Sequence, residues 1–227
     1  MFSKALFALP FLALSLIAAK APEVVAPPLP SIAAPAEIAA NPANKLTLEL
    51  SNGGAVVIQM RPDLAPHHVE RVQILVRQGF YNGLPFHRVI PGFMAQGGDP
   101  KGDGSGGSSL PDLKAEFTNM PYFRGTVAAA RTEQPDTANS QFFIMYGPNM
   151  GLETKYTVWG RVIAGMDAVE KIAVGEPPAQ PTKIVRAYLG DMSASAVPPA
   201  APPAIPAPAP VPAPTPAPAP AATPHGG

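Results

Sequence analysis

The stretch FHRVIPGFMAQGGD, residues 86–99, decides how this chain is interpreted. Two short apolar segments flank the pair Pro91-Gly92, which predicts two strands joined by a tight turn. One arginine and one glutamine lie among phenylalanine and methionine, and NSQFFI at residues 139–144 adds a second glutamine and two more phenylalanines. The two stretches hold no nucleophile–base pair and no metal cluster. They suit a site that holds an apolar ring and contacts an amide without forming a covalent bond.

Further strands are predicted on both sides of this stretch. Residues 45–50 alternate apolar and polar side chains, SNGG at residues 51–54 is a turn cluster, and residues 55–60 form a second apolar segment. This pattern is typical of a β-hairpin. Four more strands are predicted at residues 126–130, 141–145, 156–162 and 183–189. Together with the two strands of this hairpin and the two that flank Pro91-Gly92, they make eight.

Two helices interrupt these strands. Asp63 precedes the first, Pro66 suits its first turn, and Gly79 can close it. Apolar side chains recur at helical spacing along one face of this helix: Ala65, Val69, Val72 and Val76. Residues 166–174 predict a second, shorter helix. Strands spread through the whole domain favour a closed antiparallel barrel over a parallel βαβ sheet.

The N-terminus predicts export. Residues 1–21 combine the positive Lys4, an apolar run at 5–18 and the small-residue pattern Ala-Lys-Ala at 19–21, as in a signal peptide. The run is shorter than the roughly 20 apolar residues that cross a bilayer, so an uncleaved anchor is the weaker alternative. We expect a periplasmic protein without stable membrane insertion unless the signal stays uncleaved. The absence of cysteine excludes a lipid-anchored lipoprotein.

Composition divides the rest of the chain. Residues 22–44 are rich in Ala and Pro and predict an extended linker. Residues 45–192 have the length and apolar content of one domain. Residues 193–227 carry 13 of the 32 prolines and have no aromatic and few branched side chains to offset ordering entropy. This tail is predicted to be disordered.

Several functions are excluded or disfavoured. The net charge is zero, which argues against a nucleic-acid surface. The glycine-rich residues 102–107 predict a loop, but the Gly-Lys-Ser/Thr of a phosphate-binding loop does not follow. His67 and His68 point to different faces of a helix and predict a solvated helix start rather than a metal site. We expect no cofactor, no metal and a monomer.

Residues 86–99 and 139–144 together resemble the cyclophilin family of peptidyl-prolyl cis-trans isomerases, in a bacterial and exported form. The resemblance covers about residues 45–190. It implies a mainly β fold, an eight-stranded closed antiparallel barrel capped by two α-helices. It also implies that the protein accelerates rotation of Xaa-Pro peptide bonds during folding of exported proteins. Its partners would be proline-containing segments of unfolded or flexible proteins.

The resemblance also implies roles for individual side chains. Arg88 is the donor that favours the twisted amide, Phe93 closes on the proline ring, and Gln96 binds the carbonyl before the rotating bond. The remaining implied positions bind the substrate through the pocket, its wall and its rim. They are Met94, Ala130, Arg131, Gln141, Phe143, Leu152 and Tyr156.

The chain departs from the family at the rim of this pocket. Gly151 stands where many members have a tryptophan, and Tyr156 stands where many have a histidine. Two other functions stay open. The first is a proline-peptide binding module or holdase chaperone with little catalysis, although Arg88 favours the enzyme. The second makes the Ala/Pro tail the functional part, spanning or binding cell-envelope material.

Overall fold

The computed structural model describes residues 31–190, and within this range it contains eight strands and three α-helices. All eight predicted strands are confirmed to within a few residues. In chain order the elements are α1 (Ala36–Ala40), β1 (Lys45–Leu50), β2 (Ala55–Met60), α2 (Pro66–Arg77), β3 (Phe86–Ile90), β4 (Met94–Gly97), β5 (Thr126–Ala129), β6 (Phe142–Met145), β7 (Val158–Ala164), α3 (Met166–Val169) and β8 (Ile184–Leu189). The predicted signal and tail lie outside the described residues.

The strands form one antiparallel sheet in the order β3-β4-β6-β5-β7-β2-β1-β8. The sheet curls, and its two edge strands approach each other. They are joined by an isolated bridge between Pro85 and Lys183 and by neighbouring backbone hydrogen bonds such as Phe86 N–H to Thr182 O, 2.9 Å. No ladder between β3 and β8 is present among the described residues. The prediction is therefore confirmed as a curled eight-stranded antiparallel sheet, and complete closure into a barrel is not shown.

Helix α2 covers the main core. Pro66 occupies its first turn as predicted, and Gly79 follows its end with a positive φ of 68° that suits glycine. The predicted apolar face is buried, and Leu75 joins it. Helix α2 lies against β8 and β7, and its apolar side chains belong to one cluster with buried residues such as Leu48 and Ile58.

The second predicted helix is shorter than residues 166–174. Helix α3 ends at Val169, because the backbone then changes to the tighter i→i−3 hydrogen bonds of a 3₁₀ turn, as in Ile172 N–H to Val169 O, 3.1 Å. The Ala173 N–H donates to the Thr182 hydroxyl at 3.1 Å, which ends helical pairing. Val169 and Ile172 nevertheless remain buried in the main core.

Residues 31–44 are not extended throughout, contrary to the linker prediction. They contain α1 and a 3₁₀ turn at Pro42–Asn44, and we call them the N-terminal strap. Polar side chains of the sheet and of α2 hold the strap by its carbonyl oxygens. Arg61 Nη1 donates to Ser31 O at 2.8 Å, Gln59 Nε2 to Asn44 O at 3.1 Å, and Gln73 Nε2 to Ala43 O at 2.9 Å. The Ala/Pro composition of the strap gave no sign of these hydrogen bonds, because their donors lie elsewhere in the chain.

Candidate active site

Neighbouring residues of the central strands point to opposite faces of the sheet. In β6, Phe142 and Ile144 join the main core, whereas Phe143 and Met145 join a second apolar cluster on the other face. This separation follows from the period of two in a strand. Across the paired strands it produces two parallel rows of side chains. The pocket row is Arg88, Gln96, Phe143, Ala128 and Val158, and the core row is Val89, Ala95, Ile144, Val127 and Gly160.

A β-bulge directs Arg88 onto the pocket face. Phe86 pairs with Gly97 and Arg88 pairs with Gln96, so His87 is an extra residue in β3. Without the extra residue, Arg88 would share the core face with Phe86, which is fully buried there. Bulges that redirect a side chain are frequent near active sites. The prediction that His87 faces away from the site is confirmed in that this residue is buried and does not line the cavity.

A cavity of about 130 Å³ lies over the pocket row. Nine of the ten predicted site residues line it: Arg88, Phe93, Met94, Gln96, Ala130, Arg131, Phe143, Leu152 and Tyr156. Its floor is apolar and nearly closed, with Met94 and Phe143 at 2% and 5% exposure. Phe143 packs edge-on against Tyr156 at 5.6 Å and stacks with Tyr122 at 6.4 Å between ring centroids. The cavity therefore offers an apolar wall beside the side chain of Arg88.

Gln141, the tenth predicted residue, stands behind Gln96. Gln96 Nε2 donates to Gln141 Oε1 at 2.9 Å, and Gln141 Nε2 donates to Gly104 O at 2.9 Å and Gly106 O at 2.8 Å. Gln141 thus fixes the amide of Gln96 from one side. Because an amide NH₂ has two hydrogens, Gln96 keeps one donor for a ligand in the cavity.

Asp99, a residue that the sequence prediction did not assign to the site, holds the glycine-rich loop in place. Its carboxylate is fully buried and accepts hydrogen bonds from Lys101 N–H at 2.8 Å and Gly104 N–H at 2.6 Å. A Cβ atom at Gly106 would lie 2.0 Å from Asp99 Oδ1, so only glycine fits there. Asp99 therefore supports Gln141, and through it Gln96. The sequence feature that could have indicated this role is an aspartate shortly before a glycine-rich loop, because aspartate side chains often accept hydrogen bonds from nearby backbone N–H groups.

A larger cleft of about 630 Å³ adjoins the cavity. The two share Gln96, Ala130 and Arg131, and the rest of the cleft is mainly polar loop residues such as Ser105 and Asn139. An extended ligand lying over the cavity would therefore continue into this cleft.

The Arg131 side chain braces the rim between the two spaces. Its guanidinium lies 4.6 Å from the Tyr156 ring centroid and donates to Lys155 O at 2.7 Å and to Thr132 O at 2.7 Å. The neighbouring Ala130 N–H already donates to Gln141 O at 2.9 Å within the sheet. A backbone hydrogen bond from Ala130 or Arg131 to a ligand must therefore use a group other than the Ala130 N–H.

The predicted departures from the family lie where expected. Gly151 is part of a short 3₁₀ turn, Met150–Leu152, beside the cavity, and Met150 is half exposed.

His68 corrects one prediction. The start of α2 is not fully solvated, because His68 is buried and its Nδ1 lies 2.5 Å from Glu116 Oε2. The same carboxylate accepts the N–H groups of His67 and His68 at 3.1 and 3.0 Å, so it caps the helix. Burial lowers the pKa of His68, although Glu116 opposes this effect.

Within residues 31–190, no group of three or more histidine and carboxylate side chains is arranged to hold a metal ion. No helix in that range is long and apolar enough to cross a membrane.

Comparisons with known proteins agree on one family. The family model described as cyclophilin type peptidyl-prolyl cis-trans isomerase matches residues 45–189. A probable peptidyl-prolyl cis-trans isomerase of Brucella suis is 49% identical, over 66% of this chain and 85% of the relative. The crystal structure of the cyclophilin AquaCyp293 from Hirschia baltica has a TM-score of 0.61 and 30% identity, covering 66% of this chain and 74% of its own. A cyclophilin-type isomerase from Cryptosporidium parvum, crystallised in the presence of the dipeptide Ala-Pro, has a TM-score of 0.61 and 26% identity, covering 65% and 99%.

Proposed function

The chain belongs to the family of cyclophilin-type peptidyl-prolyl cis-trans isomerases, and from this premise we propose how its own residues turn an Xaa-Pro bond and in which setting they do so. The observation that carries the proposal is the single small cavity that joins Arg88 to an apolar wall. Proline-containing peptides are the ligands of this family, and we take them as the substrate class here.

The reaction needs no acid, base or nucleophile. The barrier to rotation is roughly 18–20 kcal/mol, because the amide C–N bond has partial double-bond character. Twisting the bond breaks this conjugation and returns a lone pair to the prolyl nitrogen. An enzyme accelerates the reaction only through interactions that are stronger in the twisted state than in the planar state.

We assign the proline ring to the apolar wall. Phe93, Met94 and Phe143 grip the ring, and Leu152 and Tyr156 close the rim around it. None of the three side chains that grip the ring carries an N–H or O–H group, so they hold one side of the rotating bond by packing. The ring stays still while the chain before it turns.

We assign the electrostatic step to Arg88. Its guanidinium is always charged and presents N–H donors in a rigid fork, so it can donate to the prolyl nitrogen once that nitrogen has regained its lone pair. Gln96 lies directly opposite Arg88 across the β3–β4 pair and donates to the carbonyl that precedes the bond. Residues before the proline then run past Ala130 and Arg131 into the larger cleft. The Ala-Pro dipeptide of the Cryptosporidium relative supports a ligand as simple as alanine followed by proline.

The biological setting is also proposed. We propose a bacterial protein that is exported by a signal at residues 1–21, acts as a monomer in the periplasm and folds exported proteins. The signal-like pattern of residues 1–21 supports the export. We further propose that the curled sheet closes as a barrel through the contacts around Pro85 and Lys183.

An isomerisation assay tests the site. Purified chain lacking residues 1–21 is added to a short Ala-Pro peptide, and cis-to-trans conversion is followed by NMR exchange. We expect fast exchange that disappears with Arg88→Ala. Binding of the peptide without accelerated exchange would overturn the proposed mechanism and favour a proline-peptide binding module.

A further inference from the structure

Arg88 has a partner that neither the sequence motifs nor the cavity lining includes. Its Nε donates to Glu176 Oε2 at 2.6 Å, across 88 positions of sequence. The two side chains are 41% and 51% exposed. An exposed ion pair of this kind contributes little to stability in general. Because the ion pair involves Arg88, we expect it to affect the reaction more than the stability of the fold.

The backbone brings Glu176 to this position by a specific device. Gly175, the preceding residue, pairs with Val89 through two hydrogen bonds, Val89 N–H to Gly175 O at 2.8 Å and Gly175 N–H to Val89 O at 3.1 Å. Gly175 has a φ of 146°, and a Cβ atom there would lie 2.7 Å from the Cα of Pro178. These hydrogen bonds fix the backbone next to Glu176 against Val89, the residue after Arg88. The Glu176 carboxylate is therefore held near the Arg88 guanidinium by paired backbone.

The contact uses one particular donor of the guanidinium. Nε–H is the donor nearest the aliphatic stem, and binding it fixes the plane of the group. The Nη donors stay available on the side of the cavity that Arg88 lines. Arginine side chains otherwise have many rotamers, and a donor that is displaced by about 1 Å can lose roughly a hundredfold in rate.

We propose that Glu176 is a positioning residue, which holds the Arg88 guanidinium in the orientation that donates to the twisted Xaa-Pro bond. The inference rests on the role of Arg88 given under the proposed function. Glu176 does not contact the substrate. It removes the search of Arg88 among rotamers before each turnover.

The chain supplies a matched control for this contact. Arg124 Nε donates to Glu170 Oε1 at 2.7 Å, and these side chains are 51% and 46% exposed. Neither residue lines the cavity or the adjoining cleft. The two pairs therefore match in geometry and exposure but differ in their distance from the site.

The test compares Glu176→Ala, Glu176→Gln and Glu170→Ala in the chain lacking residues 1–21. We expect Glu176→Ala to lower kcat by roughly ten- to a hundredfold while KM changes by less than about threefold. Glu176→Gln keeps an acceptor oxygen and should recover most of the loss. Glu170→Ala should leave both constants unchanged. The Arg88 Nε–H resonance should be protected from exchange in the unmodified protein and unprotected in Glu176→Ala.

A double variant separates this inference from the proposed function. In an Arg88→Ala background, Glu176→Ala should have no further effect on kcat, because the two residues act as a unit. Equal kcat for Glu176→Ala and Glu170→Ala would overturn the positioning role, as would an undiminished loss in the Arg88→Ala background. A chain in which Arg88→Ala itself has no effect would instead overturn the proposed function.

Discussion

The pocket row and the core row lie one residue apart in β3, β4, β5 and β6 and two residues apart in β7, yet they differ in what surrounds them. The core row, from Val89 through Ile144 to Gly160, is apolar throughout and packs within the main core. Gly160 is glycine because a Cβ atom there would lie 2.9 Å from the Ile58 side chain. The pocket row begins with Arg88 and Gln96 and ends among apolar side chains.

This difference shows how one sheet serves stability and chemistry at once. The core row is enclosed on all sides, so the volume of each side chain determines how well it packs. The pocket row is open at the cavity, so polar groups there can stay partly solvated and meet a ligand. A substitution should therefore change the free energy of unfolding on one row and the rate of isomerisation on the other.

Arg88→Ala should give the largest effect. We expect kcat/KM to fall by roughly 100-fold or more, as when one transition-state donor is removed from an enzyme. Peptide affinity should fall less, because the apolar wall remains. The measurement is NMR exchange of an Xaa-Pro peptide, with Arg124→Ala as the control for loss of an exposed arginine. Near-full activity of a folded Arg88→Ala protein would remove the distinction between the rows.

The adjacent residues Phe143 and Ile144 test the comparison within one strand. Ile144→Ala should lower the free energy of unfolding by about 2–5 kcal/mol, since Ile144 is fully buried in the core row. The rate of the folded fraction should stay unchanged. Phe143→Ala removes about 1.5–3 kcal/mol of apolar contact with the proline ring and should lower kcat/KM about tenfold or more.

Urea denaturation and the peptide assay measure both variants side by side. Because Phe143 is itself 5% exposed, some loss of stability is expected with Phe143→Ala as well. The comparison fails if Ile144→Ala slows the folded enzyme as strongly as Phe143→Ala does.

Removal of the N-terminal strap should affect stability alone. A chain that starts at residue 45 leaves Gln59 and Arg61 without the strap carbonyls they now bind. A typical hydrogen bond contributes about 0.5–1.5 kcal/mol, so we expect a loss of about 1–3 kcal/mol relative to a chain that starts at residue 31. Thermal unfolding of the two chains measures this difference. Equal stability would mean that the strap is only a linker after all, and a loss of turnover would mean that it supports the pocket row.

The smallest effect is a pH dependence from the buried histidine of the bulge. His87 is 5% exposed, and neither ring nitrogen has a hydrogen-bond partner among the described residues. Burial lowers the pKa of His87 below its ordinary value of 6.5, while Asp99 and Asp103 oppose this effect. The unfolded chain therefore binds a proton more readily than the folded chain, and stability is lost as the pH falls below 6.5.

His87→Leu should flatten this dependence. Free energies of unfolding measured from pH 7.5 downward should decline less in the variant than in the unmodified protein. His68, whose pKa is also lowered, should retain the remaining slope. An identical slope in both proteins would contradict this prediction, because it would mean that His87 binds protons equally in the folded and the unfolded chain.

The sequence by itself determined the strand order along the chain and helix α2. These features depend on local patterns, such as the period of two around Phe143 and the helical spacing of Val69 and Val72. The roles of the cavity residues came from a resemblance to a known family. Nine of those residues line one cavity in the structure.

Only the tertiary structure decided the contacts between segments far apart in the chain. Glu176 meets Arg88 across 88 positions, and Glu116 caps α2 across 48. The strap is held by donors that its own Ala/Pro sequence does not contain. The bulge at His87 depends on the register between β3 and β4, which the residues of β3 alone do not fix. Local periodicity predicts which face of a strand or helix a side chain occupies. The residue that it contacts depends on how distant segments pack together in the folded sheet.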